Sequence, residues 1–217
     1  MPAIPLSFRL RRVWFLAALG IVSIAVAAEP TVSVKKAVVS LERRTFDPRH
    51  LPPEMPPLKP TEAGLCAFKF ECQTWFGAEV PLDDRETADA TVTAAKVWLT
   101  LKITLWTKER APAKLVAHEE GHRTIAELFY VPAESIAQDL AEKMIGRKFP
   151  VRLREREAVM QRELKKSQEV FVKEYLDATG QRCIFAQERF DVITNHGLNS
   201  IPERDAMAKA LAEERAR

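Results

Sequence analysis

Hydrophobic and polar residues alternate along residues 91–106, a pattern that predicts a long β-strand with one buried face. A similar alternation at residues 66–76 predicts a second strand. Residues 30–46 read as an extended lead-in, and the six prolines between residues 47 and 60 exclude a helix or a central strand. We expect this stretch to be a linker or a surface wrap. The predicted buried face of the long strand consists of Val97, Leu99, Leu101, Ile103 and Leu105.

Beyond residue 112 the spacing of apolar positions changes to that of amphipathic helices. Gly146 and Gly180 are expected to end the second and third helices. Residues 183–199 have no single period, so we expect a mixed segment there. Together these elements predict an α+β fold in which a small antiparallel sheet is followed by helices. The predicted helices cover residues 113–130, 133–146, 151–179 and 202–217.

The first 28 residues have the three parts of an export signal. Arg9, Arg11 and Arg12 precede the apolar run 13–24, and small residues follow at 25–28. An uncleaved membrane anchor is the alternative, but the apolar run is short for a span of about 20 residues. We therefore expect a cleaved signal peptide, a periplasmic or secreted protein, and no stable membrane span after cleavage.

Charge gives no indication of a nucleic-acid partner. The chain has 33 basic and 30 acidic residues, a net charge of +3. The export segment holds three arginines and no acidic residue, so the remainder has a net charge of 3 − 3 = 0. The basicity belongs to the signal, and we expect no binding of nucleic acid.

Three cysteines leave the disulfide pairing open in an oxidising compartment. Cys72 is six positions after Cys66, which is about 20 Å on a strand at about 3.3 Å per residue. A disulfide needs Cα atoms within about 7 Å, so these two cannot bond to each other if they share a strand. In that case Cys183 would be the partner of one of them. A tight turn between them would reverse this conclusion.

The predicted helix over residues 113–130 contains the pattern His-Glu-x-x-His. His118 and His122 are one helical turn apart, so both rings face one point. Glu119 lies beside that point and can act as the general base toward a zinc-activated water. The pattern is typical of zinc metallopeptidases, and it predicts a Zn²⁺ site. Gly121 inside the helix costs about 1 kcal/mol relative to alanine, which indicates close approach of another element.

Two histidines do not complete a catalytic zinc site, which usually has three protein ligands. We expect His196 to be the third ligand, held by Asp191 or Asn195 as a hydrogen-bond partner. Glu134 or Glu142 of the second helix is the competing ligand.

Two further residues could be considered as metal ligands, one because it is close to the motif in sequence and one because it is a histidine. Neither is expected to bind the metal. Glu127 is nine residues after His118, so on a continuous helix it faces away from the site. His50 lies in the proline-rich stretch and reads as a surface residue. Glu120 and Arg123 are expected to pair with each other or to face solvent.

Two segments together resemble a bacterial envelope family of predicted secreted zinc-dependent proteases. They are residues 118–127 (HEEGHRTIAE) and 190–197 (FDVITNHG). The family is catalogued as a domain of unknown function, with an H-E-x-G-H helix and a Tyr-Asp-x-x-Thr-x-His-Gly segment. The similarity covers about residues 85–210, and this chain has Phe190 where the family tends to have tyrosine. The resemblance implies a zincin-like fold, and by analogy with zincins the strand at residues 91–106 would bind a peptide by strand addition.

The expected organisation is a signal peptide at 1–28, an extended proline-rich segment at 29–62 and a zincin-like catalytic domain at 63–217. The expected activity is hydrolysis of peptide bonds in a peptide or protein substrate of the cell envelope. A non-enzymatic binding module stabilised by zinc is the alternative from a different class. An amidase acting on cell-wall peptides is a third possibility.

Overall fold

The computed structural model describes residues 30–58, 62–81 and 86–216. The predicted signal peptide lies outside these residues. Within the described ranges, no helix is both long and apolar enough to cross a membrane.

Five strands and five helices follow one another along this part of the chain. The strands are β1 (Thr31–Val34), β2 (Val38–Phe46), β3 (Gly64–Glu79), β4 (Thr87–Lys108) and β5 (Lys148–Arg152). The helices are α1 (Ala113–Tyr130), α2 (Ala133–Met144), α3 (Arg156–Leu176), α4 (Arg182–Thr194) and α5 (Glu203–Arg215).

Strand β4 is the centre of the sheet, and its alternating pattern is confirmed. The five predicted core residues of β4 are all buried, whereas Trp98 and Lys102 on the other face are exposed. The helices cover the apolar face, where Ile125 of α1 and Phe171 of α3 belong to the same core. Alternation along a strand therefore decides which face of the sheet receives the helices.

The sheet is mixed, so the prediction of an antiparallel sheet is wrong. Strands β3 and β5 run antiparallel to β4, but β1 and β2 run parallel to it. The lead-in was expected only to be extended; it forms two strands that pair with residues 94–97 and 100–108 of β4. The predicted domain boundary at residue 63 therefore falls within one continuous sheet.

The proline-rich segment connects the two sides of β4 at one end of the sheet. Strand β2 ends where Phe46 pairs with Lys108, and β3 begins where Gly64 pairs with Thr107. Between them Met55 packs with Phe46 and Trp106 on the face away from the helices. A chain that crosses the end of β4 and then reverses explains why β2 is parallel to β4 and β3 antiparallel.

The position of β4 also corrects the expectation that residues 91–106 provide a substrate-binding edge. Strand β4 has β3 on one side and β1 and β2 on the other, so its backbone groups are already paired. Strand β3 pairs only with β4 among the described strands. The edge beside α1 is therefore that of β3.

Helices α1 and α2 have the predicted positions, but the region after them differs. Residues 148–152 form β5, and α3 begins at Arg156 instead of 151. Gly180 does not end a helix: a π-helical turn at Asp177–Gln181 leads directly into α4. The predicted mixed segment is α4, whose buried positions include Gln187 and Thr194. These polar residues in a buried stripe concealed the helical period.

The three cysteines are free. Cys66 and Cys72 both lie on β3, as the prediction that they cannot bond to each other requires. A disulfide between Cys183 and one of them, a pairing that the sequence left open, is not formed. Burial raises the pKa of Cys72 and Cys183 to about 12.

Candidate metal centre

Helix α1 places the two histidines of the motif side by side. The His118 and His122 Nε2 atoms are 3.1 Å apart, and the side chains are almost completely buried. Helix α1 packs on β3 and β4 with Ile125 and Ala126, which are fully buried. The histidines lie on the same side of α1, one to two turns earlier in the helix, where it meets α4.

Asp191 of α4 joins the two rings. Its Oδ1 atom is 3.2 Å from His118 Nε2 and 3.0 Å from His122 Nε2, so the three atoms form a triangle. Burial tends to raise the pKa of Asp191, but hydrogen bonding with the two histidines outweighs it and lowers the pKa. Asp191 was expected to support a ligand, and the structure brings it among the ligands' own donor atoms.

The triangle fits a zinc ion. Zinc bonds nitrogen at about 2.0–2.1 Å and carboxylate oxygen at about 2.0–2.2 Å in tetrahedral sites, which separates the ligand atoms by about 3.3 Å. His118, His122 and Asp191 are one group of described residues whose atoms are close enough to hold a metal ion. Two imidazoles and one carboxylate leave a fourth tetrahedral position open, as catalytic zinc sites do.

Phe190 packs against both histidine rings. Its ring stacks on His118 with centroids 5.0 Å apart and planes at 12°, and it meets His122 edge-on at 5.0 Å. A Cβ atom added to Gly121 would lie 2.6 Å from Phe190 Cζ. The predicted close approach at Gly121 is confirmed: the missing side chain lets Phe190 reach the space below the histidines.

A left-handed turn after α4 brings a backbone segment against the site. Asn195, His196 and Gly197 have φ angles of 49°, 54° and 76°, and two of them are not glycine. A Cβ atom on Gly197 would lie 2.9 Å from His118 Cγ. Asn195 is exposed at the end of α4. Its side chain was predicted to hold His196, but no hydrogen bond between them is present among the described residues.

His196 lies next to the triangle and outside it. Its Nδ1 atom is 3.5 Å from Asp191 Oδ1. It belongs to a second group that could hold a metal, together with Asp191 and Glu62, and that group contains neither His118 nor His122. The geometry therefore favours Asp191 over His196 as the third ligand of the first group.

The competing ligands proposed on the second helix are bonded elsewhere. Glu134 accepts a hydrogen bond from the backbone N–H of Ala37 at 2.7 Å, and Glu142 accepts one from Gln138 at 2.7 Å. On α1, the predicted pair of Glu120 and Arg123 is present.

Two further expectations about residues outside the site agree with the structure. Glu127 faces away from the histidines and accepts hydrogen bonds from Arg123 at 2.7 and 2.8 Å. His50 is on the surface, with 85% of its side chain exposed.

Glu119 is held in a buried position beside the first strand residues of β3. It is 4% exposed, and its Oε1 atom would lie 2.7 Å from a Cβ atom on Gly64. Burial raises the pKa of Glu119 to about 7, and the backbone N–H of Cys66 opposes this by hydrogen bonding to the carboxylate. A carboxyl group with such a pKa can both accept and return a proton near neutral pH.

Gln187 is a site residue that the sequence analysis did not identify. Its side-chain oxygen contacts His122 Nδ1, and its Nε2 atom donates to the His122 carbonyl at 2.8 Å. Gln187 and Asp191 are one turn apart on α4 and meet opposite nitrogens of the same ring. The signal available in the sequence is their i, i+4 spacing, which becomes visible once residues 182–194 are read as a helix.

One cleft of about 250 Å³ is lined by the titratable groups of the site and by Gln187, namely His118, Glu119, His122, Gln187, Asp191 and His196. The described residues that line it include no lysine or arginine. Besides the buried site residues, its walls contain Glu62, Leu65, Phe68, Leu115, Ile184 and Glu188.

Comparisons with known proteins find no match: no protein-family model, no curated protein and no solved structure is significantly similar to the chain. The resemblance to secreted zinc-dependent proteases therefore depends on the two motifs alone.

Proposed function

We propose that this protein is an exported, zinc-dependent peptidase whose metal is held by His118, His122 and Asp191. The observation that carries the proposal is the triangle of Nε2, Nε2 and Oδ1 atoms at 3.0–3.2 Å. It lies on a cleft, and a carboxyl group suited to proton transfer is adjacent to it. When bound, zinc supplies Lewis-acid activation of water and of the substrate carbonyl.

Glu119 is the general base in this proposal. Its carboxylate takes the proton of the attacking water and returns it to the leaving amine. Burial keeps the group poorly solvated, so its pKa of about 7 places both protonation states within reach of neutral pH. Gly64 leaves room for the Glu119 carboxylate, because any larger residue would collide with its Oε1 atom.

The side of β3 away from β4 is suited to hold a substrate backbone, apart from the Cys66 N–H, which already bonds to Glu119. Gly64, Cys66 and Phe68 line the cleft, and β3 pairs only with β4 among the described strands. An extended peptide can add to such an edge by backbone hydrogen bonds, which would lay its scissile bond beside Glu119. The apolar walls at Leu115 and Ile184 would then accept its side chains.

Replacing Glu119 with glutamine tests the assigned base. The amide keeps the shape but cannot accept the proton, so we expect hydrolysis to fall by at least about 100-fold while zinc content is unchanged. The measurement is peptide turnover together with metal analysis. Glu120→Gln on the next residue is the matched control and should keep activity. Full activity in the Glu119→Gln protein would refute the role.

A substrate panel separates the peptidase from the other two functions considered. Casein and short peptides should be cleaved by a peptidase, and cell-wall fragments by an amidase. Bound zinc without hydrolysis of any of these substrates would favour the binding module. The open fourth position of the triangle favours an enzyme, because structural zinc sites are closed by four protein ligands.

A further inference from the structure

We propose that Gln187 is a positioning residue that selects the metal-binding form of His122. This inference rests on the proposed function, because it concerns the same histidine. Gln187 is 6% exposed, and among the described residues it makes no hydrogen bond to Asp191. Its side chain contacts His122 through both of its polar atoms and Cys183 Sγ through its nitrogen.

The orientation of the Gln187 amide follows from its partners. The His122 carbonyl oxygen can only accept a hydrogen bond, so the group 2.8 Å from it must be the amide NH₂. Cys183 Sγ, at 3.7 Å, is a second neighbour of the same nitrogen. The amide oxygen therefore faces the His122 ring, and the flipped arrangement is excluded.

The tautomer of His122 follows from that orientation. An amide oxygen has only lone pairs, so the contact between Gln187 Oε1 and His122 Nδ1 requires a proton on Nδ1. In the neutral ring this leaves the lone pair on Nε2. That atom is the one directed at Asp191 and His118. Gln187 therefore favours the form that can bind a metal, whereas Asp191, 3.0 Å from Nε2, favours a proton on that atom when no metal is bound.

The His118 ring is held by packing, so the side-chain contact that Gln187 makes with His122 has no counterpart there among the described residues. The Nδ1 atom of His118 is buried without a hydrogen-bond partner among the described residues. Its ring is held by stacking on Phe190 and by contact with Gly197. Asp191 contacts the Nε2 atoms of both rings, but among the described residues a side chain contacts Nδ1 only at His122.

The test compares Gln187→Met with Gln187→Glu. Methionine has a similar volume and no acceptor, whereas glutamate keeps an acceptor at Oε1 and loses the NH₂ group. We expect Gln187→Met to raise the zinc Kd by about 10–100-fold and Gln187→Glu to stay within a few-fold of the unmodified protein. Gln161→Met, on the exposed side of α3, is the control.

A second readout needs neither zinc nor activity. Nitrogen NMR of the zinc-free protein, at a pH where His122 is neutral, reports which ring nitrogen carries the proton. We expect a larger Nδ1–H population in the unmodified and Gln187→Glu proteins than in Gln187→Met, where only Asp191 at Nε2 acts on the ring and favours the Nε2–H form. Unchanged zinc affinity and tautomer in Gln187→Met would overturn the inference, as would equal losses in both variants. Loss of zinc affinity without peptidase activity in any form would instead refute the proposed function.

Discussion

At the scale of single residues, some groups of the site can be placed from the sequence alone, and others only from the structure. The convergence of His118 and His122 follows from four residues of helix, and the spacing alone predicts it. Asp191 and Gln187 reach the same ring from 69 and 65 residues away along the chain. Their roles depend on the packing of α4 against α1, which no local pattern encodes. The preference for His196 was a judgement by residue type, and the structure places Asp191 closer.

Replacement of Asp191 distinguishes these two residues. Asp191→Asn removes the charge and one lone-pair site of the proposed ligand. Loss of a residue that only supports a ligand lowers metal affinity by about 10–100-fold, and we expect a larger fall here. His196→Gln should leave the zinc Kd within about 10-fold, because its ring lies outside the triangle. Titration of both proteins with zinc is the measurement. The reverse ranking would restore His196 as the third ligand.

At the scale of the elements, contact between α1 and α4 depends on a position without a side chain. The strand alternation and the helix spacing were enough to predict β3, β4, α1 and α2. The π-helical turn and α4 were not predicted, because Gly180 read as a stop signal and buried polar residues interrupted the apolar stripe. Gly121 was the one element-level clue to the neighbour of α1, since a helix tolerates glycine poorly.

Gly121→Ala should weaken this contact. Alanine favours a helix by about 1 kcal/mol, but its Cβ would lie 2.6 Å from Phe190 Cζ within a closely packed interface. Overpacking of this kind costs about 1–3 kcal/mol, so we expect a net loss in the free energy of unfolding and weaker zinc binding. Urea unfolding and zinc titration measure both quantities.

Gly180→Ala is the matched control for this substitution. A Cβ atom there has its nearest neighbour at 3.8 Å, which is ordinary contact, so stability should be unchanged or higher. Equal effects of the two substitutions would show that helix propensity, and not the approach of Phe190, explains the result.

At the scale of the whole molecule, the proposed metal centre joins parts of the chain that the sheet alone does not hold together. Two of the proposed ligands lie on α1 and the third on α4, and helix α5 packs against both of these helices. The α+β character was predictable from the succession of patterns. The parallel pairing of β1 and β2 was not, because it depends on β2 and β3 meeting the same end of β4 on opposite sides.

Zinc should therefore stabilise the folded chain as a whole. A ligand that binds only the native state adds about 2.7 kcal/mol to the free energy of unfolding at a concentration 100 times its Kd. We expect thermal unfolding to shift upward with added zinc and to return with a chelator. The Asp191→Asn protein should show a smaller shift at the same zinc concentration. A midpoint that does not respond to zinc in the unmodified protein would contradict the metal assignment.

The register of β1 sets the distance between the beginning of the sheet's first strand and the proposed site. Thr31 pairs with Ala94, whereas Gly64, beside Glu119, pairs with Thr107. These positions on β4 are 107 − 94 = 13 residues apart. At about 3.3 Å per residue, Thr31 is about 40 Å along the strand from the mouth of the cleft. A tag or surface linker fused before Thr31 would therefore begin far from the cleft and should leave substrate entry unobstructed.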